Sequence, residues 1–136
     1  MMDQKEFRKA CYEAARRTDG QVTEFLPSER GQNYEQCGIA YRHRTVAVLW
    51  TREWREGAKW DGIALAESPA WFGSPSFVDE PGLLAVLAEL LPRARMFTRA
   101  ELEGPLDLAV WPWISERKVR THRPGNLGEA LFNFWD

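Results

Sequence analysis

The chain has only two cysteines, Cys11 and Cys37, in 136 residues. They lack the CxxC spacing of a redox or zinc motif, and no apolar leader follows the Met-Met-Asp-Gln-Lys start. The expectation is a pair of reduced core thiols in a cytoplasmic protein. Histidine is equally scarce, with His43 and His122 the whole inventory. Together with the cysteines they form no short-spaced ligand pair, so no metal site is expected. No run of about 18 uncharged apolar residues occurs, which argues against a membrane partner. The glycines do not cluster into a phosphate loop. Gly73-Ser74-Pro75-Ser76 has neither Walker nor dinucleotide spacing, so no nucleotide or other cofactor is expected. Charge of one sign is also missing. A net charge of -2 leaves no global field to attract DNA, RNA or a lipid surface, and any electrostatic partner must be recognised by a local patch.

What the chain does have is aromatic mass. Seven tryptophans and 28% charged residues describe a packed, well-solvated globule rather than a disordered chain. The length fits one globular domain over 1–136, large enough to bury a core without disulfide or metal support.

Asp3 with Glu6 makes a capping pair, and Phe7, Ala10, Cys11 and Ala14 follow the helical stripe, which predicts a helix over about 4–18 stopped by Asp19-Gly20. Residues 22–26 form a short strand ended by Pro27. In 34–43, Cys37, Ile39 and Tyr41 share one face at period two, and in 45–51 Val46, Val48 and Trp50 do the same. Ala47 and Leu49 make the opposite face of the second segment apolar, which places it centrally in an antiparallel meander, with Arg42-His43-Arg44 as the turn. A further strand over 60–66 carries Ile63 and Leu65 inward.

Asp79 is read as the cap of a helix bearing Leu83, Val86, Leu87, Leu90 and Leu91, stopped by Pro92. Thr98 and Glu101 form another capping box. Leu106, Leu108 and Val110 alternate as one more strand. Asn126 and Glu129 open a last helix with Leu127, Leu131 and Phe134 or Trp135 on its inner face. Three aromatics in the last five residues predict a docked C-terminus. The pattern adds up to an α+β fold: an antiparallel sheet of three to five strands with flanking helices in a two-layer sandwich.

Catalytic constellations are weak. Cys37 and His43 are six residues apart on one strand face, about 20 Å when extended, too far for a dyad. Asp61, Glu67 and Glu129 have no spacing that separates them from surface or capping carboxylates. Two segments invite partners. Trp54, flanked by Arg52 and Arg55, and the pair Trp71-Phe72 lie in stretches without periodicity and are candidate exposed anchors for another protein. Arg117, Lys118, Arg120, His122 and Arg123 form the one dense basic segment, with Trp111 and Trp113 upstream. Basic groups beside aromatics can grip phosphates and stack bases. The ordinary reading of this run is a solvated strand or loop paired with Glu101, Glu103, Asp107 or Asp136. The sequence therefore reads as a cytoplasmic protein-binding module rather than an enzyme, in its sharpest form a bacterial inhibitor or immunity-type protein that occludes a partner. A nucleic-acid-associated protein using 117–123 is the first alternative. A small enzyme with Asp61, His43 or His122 in a cleft is the second.

Overall fold

The computed structural model describes residues 2–28, 32–51, 61–70, 73–112 and 114–133. The elements run in the order α1 (Gln4–Arg17), β1 (Gln21–Leu26), β2 (Tyr34–Ala40), β3 (Thr45–Thr51), β4 (Gly62–Ala66), α2 (Pro81–Leu90), β5 (Arg95–Met96), α3 (Arg99–Glu103), α4 (Glu116–His122) and α5 (Leu127–Leu131).

Helix α1 starts where the Asp3 carboxylate accepts the Glu6 backbone N–H at 2.8 Å, and it buries Phe7, Ala10, Cys11 and Ala14. Its end is set by Thr18, whose hydroxyl donates to the Ala14 carbonyl at 2.8 Å, and by Asp19, which takes the left-handed conformation at φ 59°. Gly20 is needed for room instead: a Cβ there would lie 2.7 Å from the side chains of Ile39 and Tyr41.

The sheet has the order β1-β2-β3-β4-β5, antiparallel through β4, with β3 in the centre as its two apolar faces require. Val46, Val48 and Trp50 pack into one cluster with α1 and with Leu83 and Leu87 of α2. Ala47 and Leu49 enter a second cluster with Leu102 of α3, Leu127 and Leu131 of α5, and Phe132. β4 divides in the same way, Ile63 and Leu65 to the first cluster, Ala64 and Ala66 to the second. The α+β class stands, but the two-layer arrangement does not, because a sheet whose central strands are apolar on both faces needs cover on both.

The fifth strand is a correction. It is Arg95–Met96, parallel to β4 after the α2 crossover, with Gly62 opposite Arg95 and Ile63 opposite Met96. The alternating Leu106, Leu108 and Val110 make no strand: the Asp107 side chain accepts the Ala109 N–H at 2.9 Å and closes a turn, leaving Val110 60% exposed. Asp79 does not cap α2 either. Glu80 holds the cap position before Pro81 without capping it, its carboxylate being held by the Arg44 guanidinium instead, and Asp79 accepts the Arg99 N–H at the start of α3. The Thr98–Glu101 box is formed in both directions.

The C-terminal segment is docked as far as it is described. Leu131 is buried on α5, and Phe132, at the helix end, is fully buried against the rings of Tyr34, Phe77 and Phe97. Asn133 and Asn33 then bond each other reciprocally. Asn33 N–H donates to the Asn133 carbonyl at 3.0 Å, Asn133 N–H to Asn33 Oδ1 at 2.8 Å, and Asn33 Nδ2 to the Leu131 carbonyl at 2.9 Å. Phe134, Trp135 and Asp136 lie outside the described residues.

Candidate functional site

Arg117, Lys118, Arg120 and His122 lie on α4 and Arg123 ends it, so the basic segment is a helix rather than a strand or loop. Ser115 caps it, its hydroxyl accepting the Lys118 N–H at 3.3 Å, and Arg123 closes it in the left-handed conformation at φ 47°. Val119 is the one apolar residue in the turn and is half-buried, while Arg117, Arg120, His122 and Arg123 are exposed. On a 3.6-residue period Arg117, Arg120 and Thr121 share the outward face, with Lys118 and His122 beside it.

Three of the acids expected to pair with this run are engaged elsewhere, and the fourth, Asp136, lies outside the described residues. Glu101 pairs with Arg95 at 3.1 Å and Glu103 with Arg99 at 2.8 Å, while Asp107 is engaged in its turn. Among the described residues, Arg117, Lys118, Arg120 and Arg123 form no salt bridge. Such unneutralised cations, held on a fixed frame, make a positive patch whose reach is about a Debye length.

Trp111 is corrected from a stacking residue to a core one. It is 4% exposed, its ring centroid 5.8 Å from that of Phe97, and the Arg95 guanidinium lies 4.7 Å over it. Trp113 lies outside the described residues, and so do Trp54, Trp71, Phe72, Arg52 and Arg55, the whole of the candidate aromatic patch.

The groups of the enzymatic alternative are scattered. Asp61 is 3% exposed, with Oδ1 accepting Trp50 Nε1–H at 3.1 Å and Oδ2 accepting the Met2 N–H at 2.9 Å. Both oxygens thus tie the start of the chain to one end of the sheet. His43 sits exposed in the turn at the other end, beyond Thr45, while Asp61 adjoins Gly62, which pairs with Thr51. The length of β3, about 20 Å, separates them. His122 lines a hollow of about 320 Å³ with Ser74, Arg123 and Glu129. There the Glu129 carboxylate is taken up by the Gly125 N–H and, at 3.3 Å, by the Ser74 hydroxyl.

Cys11 and Cys37 are unbridged and fully buried between α1 and β2. Burial, reinforced by the neighbouring Cys37 thiol, pushes the Cys11 thiol well above its ordinary range, which disfavours the nucleophilic thiolate. Burial likewise raises the Tyr34 phenol to about 12.

A second exposed surface went unread in the sequence. Tyr12 of α1 is 59% exposed and meets Phe25 of β1 edge-on at 5.5 Å, and the Arg8 guanidinium lies 4.9 Å over the same Phe25 ring. The signal was present as Lys5, Arg8, Tyr12 and Arg16, one stripe at helical spacing. Among the described residues no helix is long and apolar enough to cross a membrane. No family model, curated protein or solved structure matches the chain.

Proposed function

We propose that the chain is a protein-binding module that docks an acidic surface of a partner through α4. The observation that carries the reading is the set of cations on α4, Arg117, Lys118, Arg120 and Arg123, which are solvent-facing or half-exposed and make no salt bridge with any described residue. Opposed potentials speed encounter and fix orientation, and arginine adds planar, bidentate geometry toward carboxylates. A protein partner is favoured over nucleic acid because Trp111, the described aromatic nearest the patch in sequence, is committed to the core and offers no face to a base. In its finer form the proposal is a cytoplasmic bacterial inhibitor or immunity-type protein that covers an acidic functional site on its partner.

The test compares wild type with an Arg117→Glu, Arg120→Glu double variant for stoichiometric capture of a protein partner, with single- and double-stranded oligonucleotides titrated in parallel. Capture lost in a variant of unchanged melting temperature supports the proposal. Capture that is indifferent to the variant refutes it. Salt-dependent oligonucleotide binding that disappears in the variant replaces it with the nucleic-acid reading.

A further inference from the structure

We infer that the open edge of β1 and the adjoining stripe of α1 form a second docking surface, which takes an extended acidic segment of another protein by strand addition. This goes beyond the role of α4, because α1 packs on one face of the sheet whereas Ile114, which leads into α4, packs on the other.

β1 is the terminal strand of the sheet and, among the described residues, pairs only with β2. Among the described residues nothing bonds the backbone groups of its outer side. A row of unpaired N–H and C=O groups is a template for another strand, and proteins normally blunt it. Here a bulge between Val22 and Glu24 interrupts the first half of the edge, while Glu24, Phe25 and Leu26 keep regular pairing with Gly38, Cys37 and Gln36. The bulge and the Glu24 carboxylate work against antiparallel pairing of two copies, since like charges would be brought together. The regular half stays open.

The chemistry beside that half is cationic and aromatic. β1 doubles back from the end of α1, so its Phe25 end lies under Arg8 and Tyr12 rather than under Arg16. Lys5, Arg8 and Lys9 are exposed and make no salt bridge with any described residue. Glu13, the acid of the neighbouring turn, is already bound by Arg16 and Arg17, whose guanidiniums hold its carboxyl down at about 2. A strand laid along Glu24–Leu26 with acidic side chains on the α1 side would meet Lys5 and Arg8, with the Phe25 and Tyr12 rings as its apolar contact.

The probe is an acetylated peptide of about ten residues alternating Glu and Thr, with a Lys/Thr peptide as control. Two further versions are N-methylated on alternate residues, one set for each edge of the peptide. The expected result is saturable, salt-sensitive binding of the Glu/Thr peptide alone, slowed amide exchange in β1, and loss of binding for one methylated set but not the other. Arg8→Glu should weaken the peptide by about tenfold or more, whereas Arg117→Ala with Arg120→Ala should leave it unchanged. The inference is overturned by no binding up to about 1 mM, by indifference to both methylations, or by loss of binding in the α4 variant. A β1-mediated dimer of the free chain would also overturn it, because the occupant would then be a second copy. Failure here leaves the α4 proposal standing, and the α4 variants fail or succeed independently of Arg8.

Discussion

Phe132 should be the costliest single residue to truncate in the second cluster. It is fully buried, and its ring makes edge-on contacts with Tyr34, Phe77 and Phe97 at 5.8, 5.7 and 6.4 Å. Burying a phenylalanine removes about 200 Å² from water, which at about 25 cal/mol per Å² is worth at most ~5 kcal/mol. Mutational precedent for Phe→Ala in cores gives about 3 to 5 kcal/mol, and the ring contacts place Phe132 in the upper half of that range. Whole domains are stable by only about 5 to 15 kcal/mol, so Phe132→Ala should leave the protein near the edge of folding. The assay is urea unfolding followed by tryptophan fluorescence, with thermal melting alongside. A midpoint about 10 to 20 °C lower is expected for a chain of this length. Phe132→Leu, which keeps most of the volume, should lose much less. If Phe132→Ala cost less than about 1 kcal/mol, the C-terminal segment would not be docked and the second cluster would close without it.

Gly128→Ala should destabilise by about 1 to 3 kcal/mol although alanine is the better helix former, because the new Cβ would collide with the Phe77 ring and lie 3.0 Å from the Leu102 carbonyl oxygen. A melting temperature equal to or above wild type would show that α5 can shift away from α3. Stability should also fall in alkali. The Cys11 thiol is raised above its ordinary 9.0 and the Tyr34 phenol to about 12, so the unfolded chain loses these protons first. Their contribution is complete below pH 9 and declines as pH climbs through the folded values. Cys11→Ala and Tyr34→Phe should each flatten the fall in melting temperature above pH 9, and equal slopes in wild type and both variants would remove these groups as its cause.

The parts of the fold legible in the sequence are those where a local pattern and a tertiary demand coincide. α1 has both a cap at Asp3 and an apolar stripe, and the stripe is the face it buries. β3 is apolar on both faces and is central. Thr98 with Glu101 needs only three residues of context to specify a helix start. Where one of the two was missing, the reading failed. β5 has two residues, too few to show any period, and its place beside β4 comes from the α2 crossover and from bonds such as Phe97 N–H to the Ile63 carbonyl at 2.9 Å. The alternation at Leu106, Leu108 and Val110 had the right period and no neighbour to pair with.

The second cluster shows why the two-layer expectation fell short. Apart from Tyr34 of β2, its aromatic members Phe77, Phe97, Trp111 and Phe132 lie outside the helices and strands of regular pattern, one at a time, so each resembles an isolated apolar residue of a loop. Only the sheet makes them a set. β3 and β4 present Ala47, Ala64 and Ala66 beside the larger Leu49 on that side, a shallow surface of mostly small side chains into which separate rings can settle. The same geometry separates Trp111 from the basic run it precedes. Its ring is drawn under Arg95 and against Phe97, and the chain then leaves the core at Ile114 and caps α4 at Ser115. The charges of α4 were legible by composition, but their solvation was not. That depended on Arg95 and Arg99 having already claimed Glu101 and Glu103, a competition among side chains that spacing along the sequence does not encode.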